Sequence, residues 1–235
     1  MIKNIWDINP KDYDDTFLSA KEVLSLFDLC DAGWMHDGDP KKPHAELSSG
    51  KCSNGFFDCG RVLCYPNLRR ILAHQLVLRL KFYQKLSNDQ VDWVIGSSYA
   101  AITFSGDVAY GFKAVHGFTE KDPSDPKKQV WQRMMIPEGA NVLQVEELIT
   151  TAKTFNEVRR AVIAGNSESV NFLKIIGALI HRPPKLPVDY GDNKKVVALV
   201  EKEVWAVEPE DCPLCAKGSP RLKPKTHWKE LTGKA

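Results

Sequence analysis

From Val91 onward the chain alternates short apolar runs with stretches of helical period, and this alternation limits the fold more than any other feature. Runs at 91–96, 114–118, 130–136, 141–145, 171–180 and 195–200 read as strands, with helices over 102–112 and 154–164. Strands separated by helices are joined by crossovers, which set the strands parallel and place helices on the faces of the sheet. The expected fold class is therefore α/β: a central, mostly parallel sheet flanked by helices, with an N-terminal α+β subregion before it. In that subregion, 14–29 reads as an amphipathic helix carrying Phe17, Ala20, Leu24 and Phe27 on one face, with Asp14 and Asp15 at its positive end. A polar loop (37–43) follows, then two short extended pieces around Ser48-Ser49-Gly50-Lys51. Pro66 suits the first turn of a long helix that runs to about residue 86.

Composition narrows the classes. The 235 residues are 43% hydrophobic and 26% charged, near the globular average, which argues against a disordered chain. A net charge of +2 removes the main electrostatic reason to expect a nucleic-acid partner. That balance hides a basic tail: residues 217–235 hold six basic side chains and one acid, so the rest of the chain is acidic by three charges. No apolar run approaches the roughly 20 residues needed to span a bilayer, and no secretory pattern is visible at the N-terminus, so a cytoplasmic protein is expected. Six cysteines in a chain this long are too few for a disulfide scaffold.

The chemistry concentrates in Val142-Leu143-Gln144-Val145-Glu146-Glu147-Leu148-Ile149, followed by Thr150-Thr151-Ala152-Lys153-Thr154. An apolar strand ends in paired carboxylates, and a loop of hydroxyl-bearing and small residues then opens a helix. Ligands of open α/β sheets bind beyond the carboxyl ends of the strands. Backbone N–H groups at a helix start suit a phosphate. Adjacent carboxylates suit sugar hydroxyls or a magnesium ion, although an ordinary acidic strand end with a capping threonine has the same composition.

The whole segment resembles the phosphoribosyl-diphosphate motif of type I phosphoribosyltransferases. It departs from that motif at Gln144 in the apolar run, at Glu-Glu in place of an aspartate-containing pair, and at Ala152-Lys153 in place of a glycine-containing pair. Within that superfamily, Ser49-Gly50-Lys51-Cys52-Ser53-Asn54-Gly55-Phe56-Phe57 is similar to the base-facing segment of orotate phosphoribosyltransferases. Gly96-Ser97-Ser98-Tyr99 resembles their diphosphate loop, and Phe118-Thr119-Glu120-Lys121 the entrance to their catalytic loop, with Glu120 where an arginine is usual.

The resemblance implies a type I phosphoribosyltransferase fold over about 44–205, including a hood over the base, with a helical extension at 1–43 and a basic tail at 206–235. It implies transfer of phosphoribose from phosphoribosyl diphosphate to a nitrogenous base, orotate first, with Mg2+, in a homodimer. Glu146 and Glu147 would face the ribose and residues 150–154 the 5′-phosphate. Gly96, Ser97, Ser98 and Tyr99 with Lys121 would hold the diphosphate, and Lys51, Phe56 and Phe57 would face the base. Lys127, Lys128 and Arg133 are further cations near that loop. A different acceptor base, or a nucleotide-binding protein without turnover, stays open. Apart from this site, Cys212-Pro-Leu-Cys215 forms half of a possible zinc site, with His227 as a third candidate ligand. His116 and His181 read as structural.

Overall fold

The computed structural model describes residues 4–126 and 128–233, so Lys127 lies outside the described residues. Two 3-10 turns (Ile5–Asp7, Pro10–Tyr13) lead into α1 (Ala20–Leu29). A hood region follows: β1 (Gly33–Met35), β2 (His44–Glu46), β3 (Cys52–Ser53), β4 (Gly55–Phe57) and the short α2 (Cys59–Leu63). Next come α3 (Pro66–Gln84), β5 (Trp93–Gly96), α4 (Ala100–Phe112), β6 (Val115–Phe118), β7 (Glu120–Lys121) and β8 (Gln129–Val130). The core then continues with β9 (Asn141–Ile149), α5 (Lys153–Gly165), β10 (Asn171–His181) and β11 (Lys195–Glu201). The tail adds β12 (Ala206–Val207), β13 (Arg221–Leu222) and α6 (Trp228–Thr232). Among the described residues, no helix is long and apolar enough to cross a membrane.

The central sheet has the order β11-β10-β9-β5-β6, and every pairing in it is parallel. Side chains alternate between its faces. Leu143, Val145 and Val94 join Leu72, Leu76, Phe104 and Phe112 of α3 and α4 on one side. Val142, Trp93 and Ile95 meet Val158 and Val162 of α5 on the other. The hood sheet has the order β12-β3-β2-β13, so the tail supplies both of its edges: β12 runs antiparallel to β3 and β13 parallel to β2.

β9 runs on to Ile149 rather than ending at 145, and three further segments differ from expectation. The first helix starts at Ala20 rather than at 14, where Ser19 and Glu22 form a reciprocal capping box. Residues 13–18 are held by α3 instead. The buried Gln75 donates from Nε2 to Tyr13 O (3.1 Å) and Thr16 O (2.8 Å), and its Oε1 accepts from Leu18 N (2.7 Å). In the run at 130–136, only Val130 belongs to a strand. Trp131 and Ile136 plug the core beside α5, and the Asn166 amide takes both backbone groups of Ile136 in place of a neighbouring strand. The polar loop at 119–129 folds back as an antiparallel pair, with Glu120 opposite Val130 and Lys121 opposite Gln129.

Gln75→Leu keeps the side-chain volume but strands three backbone groups. It should lower the unfolding free energy by about 2–4 kcal/mol. The check is a urea titration, with the midpoint falling at unchanged slope.

Candidate functional site

The site forms where β5 ends beside β9, with Gly96 opposite Val145. Gly96 closes β5 against α4 so tightly that a Cβ there would lie 2.4 Å from Ser105 Oγ and 3.1 Å from Ala101 O, so only glycine fits. The next residue, Ser97, is buried and donates from Oγ to Glu146 Oε2 at 2.5 Å. Glu146 sits on β9, which continues past Val145 to Ile149, and it is 1% exposed. Its other oxygen accepts from Gln144 Nε2 at 2.8 Å. Gln144 also donates to Phe155 O (3.2 Å), and its Oε1 accepts from Arg159 Nε (3.2 Å). The residue that interrupts the apolar run is therefore the support of the carboxyl group.

Burial, and then the charge of Glu147, push the Glu146 carboxyl up to about 8. The bonds from Ser97 and Gln144 and the charge of Lys121 on β7 act in the opposite direction. Ser98 is half-buried in the loop after Ser97. Tyr99 follows at φ +73°, a backbone conformation costly for a side-chain-bearing residue, with its ring 76% exposed at the start of α4.

Glu147 turns to the other face of β9. There it lines a cleft of about 300 Å³ together with Phe56, Phe57, Cys59, Arg182 and Lys225. Burial raises its carboxyl as well. Phe57 is a core residue packed edge-on against Phe27, with centroids 6.0 Å apart. Phe56 is half-buried and meets Trp228 of α6 at 6.2 Å. Both rings still reach the cleft. Arg182 enters it just past the end of β10, and its buried Nε has no hydrogen-bond partner among the described residues. An unpaired buried N–H is costly, which marks this guanidinium as one that a bound anion would satisfy.

Beyond β9, Thr150 and Thr151 form the turn, Ala152 takes helical geometry, and α5 begins at Lys153, whose N–H lies 3.5 Å from Thr151 Oγ1. With Thr154, these residues form a helix start, whose first N–H groups have no acceptor within the helix.

Other candidates lie elsewhere. Lys51, at the turn between β2 and β3, pairs with Glu208 of the tail at 2.9 Å and does not line the cleft. Arg133 is neutralised by Glu120, and Lys128 lies 3.8 Å from Asp125. Cys212 and Cys215 gather with His44 and Cys52 rather than with His227, which bonds Thr226 Oγ1 at the start of α6. His116 meets Ser105 Oγ at 2.8 Å; His181 meets Glu201 and Tyr190 at 2.8 and 2.7 Å, so both have structural partners. Two cleft residues, Arg182 and Lys225, escape a reading of the sequence. Arg182 had a signal in its place directly after an apolar strand, where parallel sheets bind ligands; Lys225 had none beyond the charge of the tail.

No family model matches the chain. It is 33% identical over 186 residues to an orotate phosphoribosyltransferase of Caldicellulosiruptor bescii, covering 79% of this chain and 90% of that relative. Among solved structures, an orotate phosphoribosyltransferase from Aeropyrum pernix superposes with a TM-score of 0.52 at 15% identity, over 77% of this chain and 93% of the other. A UMP synthase from Leishmania donovani gives 0.55 at 17% identity over 78% of this chain, which spans only 36% of that longer protein. The structural matches establish the type I phosphoribosyltransferase fold, and by its sequence relative the chain belongs to the orotate phosphoribosyltransferase family.

Proposed function

We propose that this protein transfers the phosphoribosyl group of phosphoribosyl diphosphate to a ring nitrogen of orotate, releasing diphosphate, as a step of pyrimidine nucleotide synthesis. The observation that carries this reading is the Ser97–Glu146 hydrogen bond. It joins the loop after β5 to the acidic end of β9, directly before the threonine-rich helix start.

The bond between ribose C1 and the diphosphate oxygen breaks through a transition state of oxocarbenium character while the bond to nitrogen forms. The protein's contribution is positioning and charge. Glu146 and Glu147, on opposite faces of β9, flank the ribose hydroxyls. Residues 150–154 receive the 5′-phosphate, and residues 96–99 with Lys121 receive the diphosphate. Phe56 and Phe57 wall the planar base. Arg182 and Lys225, rather than Lys51, stand opposite a base that carries a carboxylate.

The oxygen donors present fit Mg2+ held mainly by substrate oxygens and water. Glu147, whose carboxylate lines the cleft, would be the protein's donor to such an ion. Once bound, the ion would supply positive charge opposite the departing diphosphate. A cytoplasmic homodimer belongs to the same proposal.

Diphosphate release tests the reading. Turnover with orotate supports it, turnover only with another base changes the acceptor, and binding of phosphoribosyl diphosphate without turnover on any base overturns it. Glu146→Gln should lower kcat/KM by about two to three orders of magnitude. The same variant should be more stable than the parent, and increasingly so as pH rises. The carboxyl ionises at its ordinary 4.5 in the unfolded chain but only at about 8 in the folded protein. Ionisation therefore favours the unfolded chain between these values. The melting-temperature difference should be smallest near pH 4 and level off above pH 8, at a gain on the order of a few kcal/mol. Arg182→Met should raise KM for orotate by roughly 10- to 100-fold, with a much smaller effect on KM for phosphoribosyl diphosphate.

A further inference from the structure

We propose that His44, Cys52, Cys212 and Cys215 form a closed structural zinc site that clips the C-terminal tail onto the hood. Their ligand atoms all lie within 4.8 Å of one another. His44 and Cys52 come from paired strands of the hood, and the two other cysteines from the turn after β12. His44, Cys52 and Cys212 are fully buried, and all three cysteines are free of disulfides.

Three of the edges between the ligand atoms have the lengths expected of a metal cage. Zinc–sulfur bonds of about 2.3 Å and zinc–nitrogen bonds of about 2.0–2.1 Å at tetrahedral angles set sulfur–sulfur edges of roughly 3.8 Å and sulfur–nitrogen edges of roughly 3.5 Å. Here Cys52 Sγ and Cys215 Sγ are 3.6 Å apart, and His44 Nε2 lies 3.5 Å from Cys212 Sγ and 3.4 Å from Cys215 Sγ.

The surroundings prepare the ligands. The hydroxyl of Ser219 donates to Lys42 O at 2.7 Å, so its oxygen is left to accept from His44 Nδ1–H at 2.8 Å. That bond fixes the tautomer whose Nε2 lone pair faces the sulfurs, the arrangement metal-binding histidines use. The Cys215 N–H points at Cys212 Sγ (3.4 Å), stabilising a thiolate. Three thiolates and one imidazole, with no place left for water, are the donor set of a structural zinc rather than a catalytic one.

The clip has a consequence for the cleft. The segment after Cys215 carries β13, then Lys225 at the cleft wall, then Trp228 against Phe56 with Arg61 over its ring at 5.1 Å. Holding the tail thus holds Lys225 and Trp228 at the base side. This consequence rests on the proposed function; the presence of zinc does not.

The test is metal analysis of full-length protein, purified without chelator and free of any affinity tag. The expected result is one zinc per chain, lost in Cys212→Ser and Cys215→Ser and kept in Cys64→Ser, which removes an exposed cysteine outside the cluster. If the serine variants do not fold, cobalt exchanged into the parent protein decides the matter: the visible bands of a tetrahedral ion with sulfur-to-cobalt charge transfer are expected. Removal of the metal should also speed proteolysis within 217–225 and raise KM for the base. Protein with no zinc above background, no cobalt–thiolate spectrum, or a disulfide among these cysteines would overturn the proposal. The zinc, cobalt and proteolysis readings do not depend on turnover.

Discussion

The Glu146 carboxyl is removed from water on the central strand, just beyond the end of β5, and held there by Ser97 and Gln144. A group in this position destabilises the fold once ionised, because the protein interior replaces hydration with only two hydrogen bonds. Its surroundings answer that cost in layers. Gln144 is fixed by Arg159 and Phe155, Arg159 by Leu173 O and the Phe172 ring, and Ser97 by the glycine that lets β5 close on α4. The parallel sheet exists in this region to bring those layers together: β5 and β9 are neighbours in it although the helix α4 and the β7–β8 excursion separate them in the chain. Such an arrangement trades stability for a positioned acid, as active sites commonly do.

Much of the fold was legible because buried strands and amphipathic helices write their period directly into the apolar residues. Four of the central strands and α3, α4 and α5 lie close to where that period puts them, and β9 starts there but runs on through its two carboxylates to Ile149. The errors share a cause: apolar residues that serve packing without serving a ladder. Trp131 and Ile136 look like a strand but fill the core beside α5 while a side-chain amide satisfies the backbone. Phe17 looks like the first turn of a helix but is 46% exposed, and α3 fixes that segment through Gln75.

The site divides along the same line. Glu146, Ser97 and the threonine loop are legible because each lies within a short contiguous motif. Gln144 reads as a flaw in the motif until its hydrogen bonds are seen. Arg182 is marked only by its place directly after an apolar strand, and Lys225 and the partners of Cys212 and Cys215 are not legible at all. Cys52 lies 163 residues from Cys215 and His44 lies 168 from Cys212, and no local pattern spans such separations. The charge of the tail, unremarkable as composition, acquires a meaning only once β12 and β13 fold it onto the hood and deliver one lysine to the cleft.

In the proposed reaction the ribose of phosphoribosyl diphosphate sits at the acidic stretch of β9. A crystal structure with that ligand and Mg2+ tests it most directly. The expected result places the ribose hydroxyls on Glu146 and Glu147, the 5′-phosphate against the start of α5, and the diphosphate beside residues 96–99. Ligand density elsewhere, with Glu146 still bonded only to Ser97 and Gln144, would contradict it.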